Sequence, residues 1–73
     1  MLPITEIHEG DQFSNPLFVN DPIPGNVYVV EEVNKAEKIV KVQSYNPTKG
    51  KPIMKPFWKK STDRIFSESW RYP

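Results

Sequence analysis

The sequence contains no cysteine. That excludes disulfides, thiolate metal centres and cysteine nucleophiles, and because small secreted domains usually depend on disulfide staples, it points to a reducing, cytoplasmic setting. Three glycines in 73 residues are too few for a phosphate-cradling loop, which needs several at fixed spacing. The single histidine, His8, sits between Ile7 and Glu9 and reads as a surface residue. Catalysis needs several convergent groups, and a lone imidazole does not supply them. No apolar run approaches the ~20 residues needed to cross a bilayer, and no signal-peptide h-region follows Met1. The expectation is a soluble chain forming one domain over 1–73, with no membrane contact.

What is present is unevenly distributed. Residues 1–37 carry seven acids (Glu6, Glu9, Asp11, Asp21, Glu31, Glu32, Glu37) against one base, Lys35. Residues 38–73 carry nine bases (Lys38, Lys41, Lys49, Lys51, Lys55, Lys59, Lys60, Arg64, Arg71) against Asp63 and Glu68. A split of this kind hints at a charged partner. It also allows the two halves to neutralise each other across a folded sheet, because charge along a chain is not charge on a surface.

The stretch 27–45 organises the rest. Two runs rich in β-branched and aromatic residues, Val27-Tyr28-Val29-Val30-Glu31-Glu32-Val33 and Ile39-Val40-Lys41-Val42-Gln43-Ser44-Tyr45, flank the polar run Asn34-Lys35-Ala36-Glu37-Lys38. This pattern predicts a hairpin. Tyr28 and Val30 share a face but Val33 falls out of phase, so a β-bulge is expected near Glu31-Glu32. On the return strand Val40 and Val42 face one way and Lys41 and Gln43 the other, as in a sheet with one buried and one wet face.

Around the hairpin the expectations are coarser. Leu2, Ile4 and Ile7 suggest a short edge strand containing Pro3, which lacks a donor. Gly10-Asp11 suggests a tight turn. Phe13, Leu17 and Phe18 are the first candidates for the core. Three prolines and a glycine within 15–26 forbid a helix and predict a long, stiff loop. Gly50 marks a second turn. Residues 53–60 read as a strand interrupted by Pro56, hence an edge or a bulge. Ser61, Thr62 and Asp63 are suited to cap a helical turn through Arg64-Ile65-Phe66, and residues 67–72 return as a last strand.

No chemistry emerges from these residues. Glu6, Glu9, Asp11 and Asp21 lack the Asp-x-Asp-x-Asp-Gly spacing of a calcium loop, so neither metal nor cofactor is expected. Ser61, Thr62 and Asp63 are adjacent, which suits capping and not a triad assembled from separate elements. The expected class is non-enzymatic.

The segments Gly10-Asp11-x-Phe13, Val27-Tyr28-x-Val30-x-x-Val33 and Ile39-Val40-x-Val42 together resemble the small SH3-like barrels of short bacterial and bacteriophage proteins, over roughly 10–72. The proline-rich loop and Pro56 depart from that pattern. The resemblance implies a mostly β fold: a five-stranded SH3-like barrel with a long first loop and one short helical turn before the last strand. It leaves function open, because the fold hosts many.

Two functions follow. The first is a protein-interaction module, a phage or prophage protein that binds and modulates a host protein in the host cytoplasm, using Glu6, Glu9, Asp11, Asp21, Glu31 and Glu32. The alternative is a nucleic-acid-binding barrel using Lys55, Trp58, Lys59, Lys60, Arg64, Trp70 and Arg71, with cations for phosphates and rings on which bases stack. Phe57 and Phe66 are expected in the core, while the sequence leaves Trp58 and Trp70 open between core and surface. The first reading is preferred because nucleic-acid barrels are usually basic throughout, with a pI above about 9, and this chain has a pI of about 8.0. A monomer is expected, or a weak dimer through an edge strand near Leu2 or Ile53.

Overall fold

The computed structural model describes residues 2–14, 27–46, 50–52 and 55–72. The hairpin dominates it: β2 (Val27–Asn34) and β3 (Ile39–Asn46) run antiparallel from Val27↔Tyr45 to Asn34↔Ile39. The expected bulge is there. Val30 pairs with Val42 and Glu32 with Lys41, so Glu31 is the extra residue. One inserted residue resets the period of two, which returns Val33 to the face where Tyr28 and Val30 already pack. The connection closes through the Asn34 side chain, whose Oδ1 accepts from the Glu37 N–H at 3.0 Å, and through Lys38, which takes a left-handed φ of 57°.

The sheet extends on both sides of the hairpin. On one side β1 (Gln12–Phe13) pairs with β2 through Gln12↔Val29 and Phe13↔Tyr28. The turn before it is the expected one: the Asp11 N–H donates to the His8 carbonyl at 3.1 Å, with Gly10 at φ 90°. The Gly10 N–H then donates to the Val30 carbonyl, and the Val30 N–H to the Asp11 carbonyl, both at 2.8 Å. A type II turn leading into a glycine bulge has this bonding, and it needs positive φ at the glycine.

On the other side of the hairpin, β4 (Lys51–Pro52) and β5 (Phe57–Lys60) both pair with β3. β4 meets Tyr45 and Asn46, and β5 meets Ile39 to Val42. The five strands form one open antiparallel sheet. The only helical structure among the described residues is a pair of 3-10 turns, Ile4–Glu6 and Glu68–Trp70.

The core lies on one face of this sheet. Val30, Val40 and Val42 from the hairpin meet Ile7, Phe13, Ile65 and Phe66. Phe13 and Phe66 are fully buried and stack edge to face with centroids 5.5 Å apart. Leu2, Tyr28, Val33, Phe57 and Trp70 pack around this cluster, with Phe57 set edge-on to Tyr28 at 6.3 Å. Phe66 is thus a core ring as expected, while Phe57 closes the core's margin half-buried.

Several expectations change at the ends. Residues 2–7 form no edge strand: Ile4–Glu6 is a 3-10 turn with Pro3 as its N-cap at φ −66°. The Leu2 N–H donates to the Phe66 carbonyl at 3.0 Å, so this segment bonds to the 61–67 region and not to a strand. The helical turn expected over 64–66 is instead a succession of tight turns in which the Asp63 N–H reaches the Lys60 carbonyl and the Phe66 N–H the Asp63 carbonyl. These turns carry the adjacent Ile65 and Phe66, both buried, into the core. The 3-10 turn falls later, at Glu68–Trp70. The last strand shrinks to the bridge Phe13↔Arg71, flanked by Ser14 N–H to Trp70 carbonyl (2.7 Å) and Tyr72 N–H to Gln12 carbonyl (2.9 Å). Leu17, Phe18, the loop 15–26, Lys49, Ile53 and Met54 lie outside the described residues.

Candidate functional site

The face of the sheet opposite the core carries the candidate surface. Pairing sets side chains in rows across it, and one row reads Glu32, Lys41, Trp58 from β2 through β3 to β5. Trp58 is 43% exposed, the only large hydrophobic so displayed among the described residues. The Lys41 ammonium stands 6.0 Å from its ring centroid, at the outer limit of a cation–π contact. Lys60, two residues along β5, is exposed, as are Lys55 before the strand and Arg64 after it.

The remaining basic candidates are engaged within the fold. Lys59 Nζ donates to Asp63 Oδ2 at 3.2 Å and lies 5.7 Å from the Phe57 centroid, so it covers the core's edge. Asp63 Oδ1 meanwhile accepts from the Ile65 N–H at 3.1 Å. Burial pushes the Asp63 carboxyl up, but the Ile65 and Lys59 hydrogen bonds and the charges of Lys59 and Arg64 outweigh it and hold the group below its ordinary 3.8. Trp70 is half-buried against the core. Arg71 Nε donates to Glu68 Oε2 at 2.9 Å, Nη1 lies 3.7 Å from Asp11 Oδ2, and the guanidinium covers the Phe13 ring at 5.6 Å. The Glu68 hydrogen bond raises the Arg71 pKa further.

The acidic candidates gather at the opposite side. Because Gly10 bonds to Val30, the turn carrying Glu9 and Asp11 runs beside the bulge carrying Glu31 and Glu32. Glu9, Glu31 and Glu32 are exposed, and Asp11 is half-buried against Arg71 and His8, whose Nδ1 is 4.0 Å away. Glu6 is exposed and its carbonyl accepts from Arg71 Nη2 at 3.4 Å. Asp21 lies outside the described residues. The asymmetry of the sequence thus becomes a gradient across the sheet, acidic at the β1–β2 side and basic at β5. Arg71 alone among the basic candidates joins the acidic side, through Asp11.

A second feature of the outer face has no counterpart among the residues singled out by sequence. Gln12, Val27, Val29, Tyr45, Asn46, Gly50 and Tyr72 line a cleft of about 440 Å³. Among the described residues, those lining it are uncharged. Val27 and Gln43 are only 4% and 5% exposed, so the outer face is wet around Lys41 and Trp58 but covered here, a correction to the one-sided sheet. The signal was in β2 itself: Val27 and Val29 face away from Tyr28 and Val30, and apolar residues on both faces mark a strand covered on both. Comparison with protein-family models, with curated proteins and with solved structures finds no match.

Proposed function

We propose that this chain is a non-enzymatic protein-interaction module, a small SH3-like barrel of the bacterial or bacteriophage type that binds and modulates a host protein. The acidic corner of Glu6, Glu9, Asp11, Glu31 and Glu32 meets a basic surface on that partner. The carrying observation is the segregation of charge: acids on the β1–β2 side, with the uncharged tyrosine and valine cleft on the same outer face. A polyanion would be repelled from that corner. The barrel reading draws support from the C-terminal segment, which bonds to the free side of β1 through Ser14 and Gln12.

The test has two arms on the intact protein. Titration with single-stranded and duplex oligonucleotides at low ionic strength is expected to leave tryptophan fluorescence unchanged, and a host-protein complex isolated by affinity capture is expected to weaken about tenfold in a Glu31→Lys, Glu32→Lys double variant. Quenching by oligonucleotide that vanishes with added salt would overturn the reading in favour of a nucleic-acid barrel. So would a complex indifferent to both reversals, as far as the acidic corner is concerned.

A further inference from the structure

Among the described residues one edge of β5 is unpaired, and it provides a second docking feature, of opposite sign to the acidic corner. Its backbone orientation follows from the register. β3 and β5 pair as Ile39↔Lys60, Val40↔Lys59, Lys41↔Trp58 and Val42↔Phe57, and the Ser61 N–H continues the ladder by donating to the Lys38 carbonyl at 2.9 Å. In an antiparallel ladder, hydrogen-bonded pairs alternate with non-bonded ones. Ser61–Lys38 fixes the phase, so Lys59 and Phe57 turn their backbone groups toward β3 while Lys60 and Trp58 turn theirs outward. The Lys60 carbonyl is taken by the Asp63 N–H at 2.9 Å, as an outward group should be. Pro56 is compatible with this phase: it directly precedes the strand, where continuing the alternation would turn its missing donor outward.

Among the described residues β5 pairs with β3 alone. The Trp58 N–H and carbonyl and the Lys60 N–H are thus presented along one edge, beside an indole that is 43% exposed. The charges along this edge share a sign. From 55 to 64 the chain carries Lys55, Lys59, Lys60 and Arg64 against Asp63, and Asp63 is matched by Lys59.

We propose that the β5 edge takes an extended acidic segment of a partner protein by strand addition, the segment's backbone pairing with Trp58 and Lys60, an apolar side chain covering the indole and its carboxylates meeting Lys55 and Lys60. Lysines along an edge disfavour pairing with a second copy of themselves, so the edge selects against self-association and for an acidic strand. A nucleic acid would use the ring and the cations but has no regular use for the outward amides. This proposal goes beyond the acidic-corner reading and stands without it.

The experiment is hydrogen exchange by NMR on the intact isotope-labelled protein, with a soluble peptide of alternating glutamate and valine as probe. In the free protein the Trp58 and Lys60 amides exchange fast and those of Phe57 and Lys59 slowly. Saturating peptide slows Trp58 and Lys60 by about tenfold or more, since each gains a hydrogen bond. The same peptide with alternate amides N-methylated binds at least tenfold more weakly. Lys60→Glu weakens the unmodified peptide about fivefold, and Glu31→Lys leaves it unchanged, which separates this edge from the acidic corner. Slow exchange of Trp58 in the free protein would show the edge already covered and overturn the proposal. Equal binding of the N-methylated peptide would reduce the site to surface charge. Response to an oligothymidylate but not to the peptide would assign the edge to nucleic acid, and a dimer by sedimentation that Trp58→Thr dissociates would assign it to a second copy.

Discussion

Asp63 concentrates three roles in one side chain: it closes the turn to Ile65, pairs with Lys59 and faces Arg64. Its folded pKa is held below the ordinary value, so its contribution is fully present above that value and is lost as pH falls through the folded one. Acid unfolding of the wild type is therefore expected to steepen below about pH 4, whereas Asp63→Asn, which retains the acceptor for Ile65 but not the charge, flattens that limb. Denaturant midpoints measured from pH 7 down to pH 2 decide it. Two backbone positions act in opposite directions. Lys38 holds a φ of 57° that side chains resist, so Lys38→Gly raises stability by about 0.5 to 1 kcal/mol, while Gly10→Ala, at φ 90°, lowers it by about 1 kcal/mol. Nothing lies within 4 Å of a Cβ built at Gly10, so the penalty there is conformational and not steric. Urea unfolding of the two variants gives both signs.

Among the elements, the bent hairpin and the 61–67 turns make the core together, because neither covers itself. The hairpin supplies a valine surface, and the turns supply Ile65 and Phe66 to lie on it. Phe66 touches the sheet through Phe13 and the N-terminal segment through the Leu2 hydrogen bond. Phe66→Ala is expected to cost about 3 to 5 kcal/mol, comparable to the whole net stability of about 3 to 5 kcal/mol that such a small core supplies. Loss of cooperative thermal unfolding by circular dichroism is the expected result, and a variant that keeps a sharp transition would show that the turns are not integral to the core.

For the molecule as a whole, the C-terminal segment has an importance out of proportion to its two ladder bonds. It pairs with β1 on the side away from β2, sets Trp70 against the core and carries Arg71 to Asp11, which links the basic half to the acidic one. Truncation after Ser69 removes all three and is expected to leave the chain largely unfolded at 25 °C, since the ladder bonds, the indole packing and the Arg71 contacts are lost together from a net stability of only about 3 to 5 kcal/mol. Arg71→Ala in the full chain is expected to cost only about 1 kcal/mol, because its ion pairs are partly solvated. Near-ultraviolet circular dichroism of the two proteins distinguishes a structural terminus from a merely electrostatic one.

The strands of the hairpin, the bulge at Glu31 and the turn at Gly10 were legible in the sequence, because each is written in local steric terms: branched side chains, a break in a period of two, positive φ. The strand expected across Pro56 instead begins after it, at Phe57. The site was legible by composition only. Trp58 and Trp70 have the same chemistry and similar neighbours, and what sends one to the surface and sets the other half-buried against the core is the register of β5 on β3 and the route of the chain after Lys60. Likewise Lys59 and Lys60 are adjacent and alike, yet one is paired over a core ring and the other stands free of the core face. The segregation of acids from bases across the sheet, the union of Arg71 with Asp11 and the tyrosine cleft all depend on which strands lie side by side. Pairing between residues far apart in the chain is a property of the assembled backbone, and no local preference of the residues concerned encodes it.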